Sequence, residues 1–306
     1  MNTVSTRAVV LDGFGAPALL VPGSVEVPDP GPRQARIAVR FAGVGPTDLA
    51  IRAGRLAQVF SSPPGTALGF EISGTVEAVG AAVLGTAVGD EVAAFLPGLG
   101  GYAALALADH WVNKPPQVDP ADAAALPASG EAAARVLSQL GIREGETLLV
   151  LGGTGSVGLV ATQLAVRRGI QVLAAVRDSD HALVAELGAV PVTYGARLAD
   201  QVRHTVGPHV DAVLDAATGS DLRTAVDLAG GPDRVVTLSN PEATALGVRL
   251  SGPDPAHATA ALNEAMAALG RGNLRLRRRT VLPLDQAAEA HARLEAGERI
   301  KFLLQP

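Results

Sequence analysis

The sequence predicts an α/β protein of two domains, a β-rich barrel-like domain and a doubly wound parallel sheet covered by helices. Three observations carry this. The chain has 306 residues, room for two ordinary domains. Short strand-like runs punctuated by Gly, Pro and Asp fill residues 6–112. Beyond Pro115-Pro116 the character changes, and Ala-rich helical patterns alternate with short Val/Leu runs, as in strands joined by crossover helices.

In the first domain Arg7–Leu11, Gln34–Phe41, Ile72–Val79 and Glu91–Phe95 read as strands. Turn clusters such as Pro28-Asp29-Pro30-Gly31-Pro32 and Val88-Gly89-Asp90 separate them. In the second domain Pro120–Ala125 and Gly130–Leu140 read as helices, Thr147–Leu151 as a buried strand and Val157–Arg168 as a helix. Strand Gln171–Val176, helix Ala182–Leu187, strand Ala212–Leu214, helix Asp221–Leu228 and strand Arg234–Leu238 follow. After about Gly272 strand-like segments return, with one helix over Leu284–Ala296 and a last strand over Ile300–Leu304.

Composition excludes several classes. Hydrophobic residues make up 48% and charged residues 18%, which is not the composition of a disordered chain. Aromatics are 3%, so the cores are built from Ala, Val and Leu. A formal charge of −5 argues against a nucleic-acid partner. With no cysteine, disulfides, thiolate metal ligands and a cysteine nucleophile are impossible. Residues 1–11 do not read as a signal peptide, and the apolar stretch Ala93–Ala108 is too short and too broken by Pro97, Gly98, Gly100 and Gly101 to span a bilayer. A soluble, cytoplasmic protein is expected.

The strongest chemical signal is Thr147-Leu148-Leu149-Val150-Leu151-Gly152-Gly153-Thr154-Gly155-Ser156-Val157-Gly158. Gly153, Gly155 and Gly158 have G-x-G-x-x-G spacing, with an apolar strand before them and an amphipathic helix after. In that setting the first glycine makes a tight turn, the second admits a pyrophosphate and the third lets helix and strand pack closely. The helix N-terminus adds free N–H groups and the positive end of its dipole. NAD-binding versions place an acid roughly 20 residues on, at the end of the second strand. Here that strand ends in Val176, followed by Arg177, which suits a 2′-phosphate. NADP(H) is therefore expected. The alternative for Arg177 is a solvated arginine, and the neighbouring Asp178 is a competing acid.

These and further motifs make the chain resemble the quinone oxidoreductase branch of the medium-chain dehydrogenase/reductase superfamily. They are Val44-Gly45-Pro46-Thr47-Asp48-Leu49-Ala50-Ile51-Arg52-Ala53-Gly54, Leu68-Gly69-Phe70-Glu71-Ile72-Ser73-Gly74-Thr75-Val76, Val88-Gly89-Asp90-Glu91-Val92, Gly100-Gly101-Tyr102-Ala103 and Lys301-Phe302-Leu303-Leu304. The resemblance implies a GroES-like domain (1–118, completed by 273–306), a Rossmann domain (119–272), an active-site cleft between them and a homodimer. Zinc-dependent relatives carry a histidine where this chain has Phe70. The six histidines, His110, His181, His204, His209, His257 and His291, show no ligand-like spacing, so no metal is expected.

Gly45 stands where the branch often has Asn, Ala50 and about Leu56 where it has tyrosines, and Ala132 where it has a threonine. The phenolic acids of some relatives are thus absent, and the pocket around Gly45, Asp48, Leu49 and Ala132 is less polar. Asp48 and Arg52, four apart on a short helix, can pair; they are structural or, as weak candidates, catalytic. Tyr194 matches a position where relatives contact the adenosine phosphate. Leu238 and Ser239 end a strand on the side where such folds bind ligands. Tyr102 reads as structural, and Glu131 as a solvated or helix-start acid. In Arg271–Arg279, Arg275 and Arg277 alternate with Leu274 and Leu276 as on a half-exposed strand; the alternative is a nucleic-acid contact. Three functions fit: NADPH-dependent reduction of a quinone or α,β-unsaturated carbonyl, a biosynthetic tailoring reduction on a polycyclic substrate, and a cofactor-bound regulatory protein without turnover.

Overall fold

The computed structural model describes residues 3–306. The chain forms two compact units, one running to Ala128 and resumed by Arg277–Pro306, the other spanning Ser129–Leu276.

The first unit opens with an antiparallel pair, β1 (Thr3–Leu11) and β2 (Leu20–Pro28), in register from Thr3↔Pro28 to Leu11↔Leu20. Then come β3 (Ala35–Gly43), α1 (Pro46–Arg52), β4 (Glu71–Val79), β5 (Glu91–Phe95), β6 (Leu105–Ala108), β7 (His110–Asn113) and α2 (Pro120–Ala124). Strand β3 pairs with β4 on one side and with β6 on the other, and β4, β5 and β7 continue the antiparallel ladder. Leu11, Ile37, Ile51, Leu68 and Ile72 are fully buried in this unit. Helix α2 packs on β3, β4 and β5, which carries the first unit past residue 118, the expected boundary.

Helix α3 (Pro127–Leu140) starts earlier than expected and leads into the second unit. There follow β8 (Thr147–Leu151), α4 (Ser156–Arg167), β9 (Gln171–Val176), α5 (His181–Glu186), β10 (Val190–Thr193), α6 (Leu198–Val206) and β11 (Ala212–Asp215). Helix α7 (Leu222–Leu228), β12 (Val235–Thr237), β13 (Arg249–Leu250) and α8 (Ala258–Gly270) complete it. The six strands are parallel in the order β10-β9-β8-β11-β12-β13. Counted from β8, this is the 3-2-1-4-5-6 order of a dinucleotide-binding sheet, and the order reverses between β8 and β11. Strands β8, β9, β11 and β12 are buried almost without interruption, which is why they read as continuous Val/Leu/Ala runs.

The chain then returns to the first unit as β14 (Arg279–Pro283), α9 (Ala287–Glu295) and β15 (Lys301–Gln305). Strand β14 pairs parallel with β15, which meets Ala42 and Gly43 of β3 antiparallel. The expected strand through Arg275 and Arg277 is not formed; residues 273–278 lie outside regular structure. Gln163 on α4 takes the place of a partner strand. Its carbonyl oxygen accepts from the Arg275 amide at 2.7 Å and its amide donates to the Arg275 carbonyl at 3.0 Å. The Arg275 guanidinium pairs with Glu186 at 2.9 Å. Among the described residues no helix is long and apolar enough to cross a membrane.

Candidate cofactor site and its surroundings

The chain leaves β8 through Gly152 at φ +86°, where an added Cβ would lie 2.9 Å from the Ala216 carbonyl oxygen beyond β11. The left-handed residue is thus one position before the expected Gly153. Gly153 is a packing position instead, because a Cβ there would sit 2.6 Å from the Ala174 side chain on β9. Gly155 is the extended N-cap of α4 and offers no capping oxygen. At Gly158 a Cβ would lie 2.1 Å from the Gly152 carbonyl oxygen, so the first turn of α4 rests directly on the glycine turn. Ser156, Val157 and Gly158 form that first turn, whose axis directs amide N–H groups and positive dipole toward the sheet's C-terminal edge. A cradle that a single methyl would fill fits a pyrophosphate held by backbone.

The other expected cofactor residues gather on the same edge. Arg177 follows β9 directly, is exposed, and carries no ion pair among the described residues. Thr193 stands opposite Val176, so Tyr194 and Arg177 leave adjacent strands side by side. Thr154 Oγ1 donates to Asp180 at 2.8 Å. Leu238 and Ser239 leave β12. The Leu238 amide donates to the Asp215 carbonyl at 3.0 Å, and fully buried Asp215 accepts from Thr237 Oγ1 at 2.8 Å. Helix α3 holds Ala132, buried, beside Glu131. Glu131 is not solvated: it is 1% exposed and pairs with Arg135 through both oxygens, at 2.7 and 3.2 Å, while Arg135 also donates to Ser251 Oγ.

In the first unit, Asp48 and Arg52 lie on one helix but do not pair. Asp48, at the third position of α1, accepts from the Gly45 amide at 2.8 Å and from the Gly69 amide at 3.0 Å. Gly45 has no side chain, so only half of a capping box exists. Burial raises the Asp48 pKa to about 7 against the pull of those two amides and of Lys301. Arg52, also buried, donates to the Gly15 carbonyl and to Glu295. Both groups are spent on holding the helix, which corrects the expected ion pair. Leu49 is buried beside them in sequence. Phe70 packs edge-on to Phe60 (5.3 Å between ring centroids) and stacks on Phe95 (6.5 Å).

Two further buried pairs escaped the sequence reading. Glu71 bonds Lys301 and accepts from the Ala128 amide at 2.9 Å; Lys301 also donates to the Val44 carbonyl at 2.9 Å. The signal was present, since each is a lone charge inside an apolar run. Tyr102 lies 3.0 Å from His291 Nε2, both fully buried. Desolvation lifts the phenol well above its ordinary pKa and lowers the imidazole to about 3. Among the described residues no three His, Asp or Glu side chains gather as a metal-binding group.

Two family models match the sequence: the alcohol dehydrogenase GroES-like domain over residues 31–115 and the zinc-binding dehydrogenase over residues 187–300. The quinone oxidoreductase of Mus musculus is 30% identical over 310 residues, covering 93% of this chain and 92% of that protein. The quinone oxidoreductase from Coxiella burnetii superposes with a TM-score of 0.83 at 25% identity, over 99% of this chain and all of that one. A mycobacterial protein solved in complex with NADPH superposes with a TM-score of 0.81 at 26% identity, over 98% of this chain and all of that one.

Proposed function

Because this oxidoreductase belongs to the quinone oxidoreductase branch of the medium-chain dehydrogenase/reductase superfamily, we propose that it delivers hydride from NADPH to a quinone or an α,β-unsaturated carbonyl without a metal. The nicotinamide supplies the hydride when bound. The turn from Gly152 through Gly153, Thr154, Gly155, Ser156 and Val157 to Gly158 holds the pyrophosphate on backbone amides. Leu238 and Ser239 would help to hold the nicotinamide end. Gly45, Leu49 and Ala132 are the residues assigned to the substrate. Asp48 and Arg52 are positioning residues, since their polar atoms hold α1 and the segments at Gly15 and Gly69. No side-chain acid is assigned, because an enolate or hydroquinone oxygen formed on hydride addition takes its proton from solvent.

The observation that carries the cofactor choice is the end of β9. Its last residue is buried Val176, with no acid to accept from a ribose diol, and exposed Arg177 follows beside Tyr194. A guanidinium there pairs with a 2′-phosphate in fork geometry. The NADPH-bound mycobacterial neighbour supports the same assignment.

Two measurements test this. Purified protein mixed with NADPH and a panel of quinones and enones is followed by the absorbance of reduced nicotinamide. Turnover supports the reductase, tailoring reduction included, whereas tight binding with no turnover across the panel favours a regulatory protein. Arg177→Ala is expected to weaken NADPH about 10- to 100-fold, by loss of a charge-assisted pair, and to leave NADH unchanged. Equal affinity of the wild type for both cofactors sinks the assignment. The reading includes a cytoplasmic homodimer with a small-molecule substrate and neither nucleic-acid nor membrane partners; sedimentation equilibrium checks the dimer.

A further inference from the structure

Arg177 is followed by two acids, Asp178 and Asp180, in a tight 3-10 turn closed by the Asp180 amide on the Arg177 carbonyl at 2.9 Å. Left to themselves these carboxylates would neutralise the guanidinium and repel a phosphate dianion. Each is drawn off by a threonine from a neighbouring strand end. Thr154, beyond β8, donates to Asp180 Oδ2 at 2.8 Å. Thr193, the last residue of β10, donates to Asp178 Oδ1 at 2.6 Å, and the same hydroxyl oxygen lies 3.1 Å from His181 Nε2. His181 Nε2 stands 3.6 Å from Asp178, so the acid has a second neighbour besides Thr193.

Thr193 is itself fixed. Strand β10 is the edge of the sheet, and Gln201 on α6 closes that edge at one residue. The Gln201 carbonyl accepts from the Thr193 amide at 3.0 Å and its amide donates to the Thr193 carbonyl at 3.3 Å. Parallel pairing with β9 sets Thr193 level with Val176, one residue short of Arg177. The threonine hydroxyl is therefore presented to the turn by backbone on two sides.

We propose that Thr193 is a specificity-determining positioning residue, which by holding Asp178 leaves the Arg177 guanidinium open to a 2′-phosphate. The inference rests on the NADPH reading above and assigns part of that preference to a residue that touches neither phosphate nor ribose. Without the hydroxyl, Asp178 is released to its chain neighbour Arg177, which disfavours a 2′-phosphate, and becomes available to a ribose diol, which does not.

The test uses adenosine 2′,5′-bisphosphate and adenosine 5′-monophosphate as probes, titrated calorimetrically into the full-length protein, so that no turnover is needed. In low salt Thr193→Val is expected to weaken the bisphosphate about tenfold, the size of a carboxylate acting on a phosphate dianion across roughly 7 Å of water. The monophosphate is expected to change less than twofold. Thr193→Ser, which keeps the hydroxyl, retains the wild-type ratio, and Asp178→Asn added to Thr193→Val restores it. A wild-type ratio in Thr193→Val, or no recovery in the double variant, overturns the proposal while leaving Arg177 in place. A wild type that does not discriminate the two probes overturns the NADPH reading itself. Should Thr193→Val fail to fold, Asp178→Asn in the wild-type background carries the test: a ratio that rises by less than about fivefold supports a clamped acid, and any larger rise overturns it.

Discussion

Gly158→Ala separates what the glycine turn does for folding from what it does for binding. The added methyl would stand 2.1 Å from the Gly152 carbonyl oxygen and 2.8 Å from its carbon, both backbone atoms that no rotamer change can move. Ordinary contact begins at 3.4 Å, so turn and helix must part by about 1.3 Å, that is 3.4 − 2.1. Overpacking of this kind costs about 1–3 kcal/mol. Alanine returns about 1 kcal/mol through its better helix propensity. The net loss of stability is then small, about 0–2 kcal/mol. Binding has no such compensation. Shifting the first-turn amides by roughly an ångström breaks two or three hydrogen bonds of about 1 kcal/mol each, and NADPH affinity should fall roughly 30- to 160-fold. Calorimetric titration with NADPH, beside thermal melting of both proteins, reads the two quantities. A variant that binds NADPH within threefold of the wild type refutes the assignment of the pyrophosphate to this turn.

The remaining predictions concern the buried charges of the first unit. Lys301→Met strands the Glu71 carboxylate, 3% exposed, with the Ala128 amide as its remaining hydrogen-bond donor. Urea denaturation should show a loss of about 3–5 kcal/mol, much of it recovered when Glu71→Gln is added; a loss under about 1 kcal/mol would contradict the pair's role. Asp48 has its pKa raised to about 7 in the folded protein, so the native state holds a proton that the unfolded chain releases near pH 4. Its contribution to stability falls as pH rises from about 4 to 7, and the difference between wild type and Asp48→Asn should follow that fall. His291 has the opposite sign. Its folded pKa is lowered to about 3, so stability is lost as pH drops from about 6.5 toward 3, a slope that His291→Gln should lack.

Much of this molecule is local, and what is local was legible. Strand Thr147–Leu151, the glycines after it and the helix beyond are adjacent in the chain, so composition and spacing alone located the turn. The absence of an acid at the end of β9 was likewise a one-dimensional fact. Within the motif the roles moved: Gly152, outside the G-x-G-x-x-G spacing, is the left-handed residue, and Ala216, just beyond β11, leaves no room there for a side chain. That neighbour is not visible from the motif.

The sequence misled where a residue's partner lies far along the chain. Helical spacing correctly brought Asp48 and Arg52 onto one face, yet spacing states only that two groups can meet. Folding supplied Asp48 with the amides of Gly45 and Gly69, and Arg52 with Gly15 and Glu295, and those contacts won. Arg275 and Arg277 alternate as in a strand, but a strand needs a partner edge, and the side chain of Gln163 serves instead. Order along the chain thus located elements such as β8, α4 and β9, because backbone geometry imposes periods of 2 and 3.6 on the side chains of each segment. Which charges pair, which glycine is left-handed and which threonines bond Asp178 and Asp180 were settled in three dimensions, since a polar group bonds what the packed chain brings within about 3 Å of it.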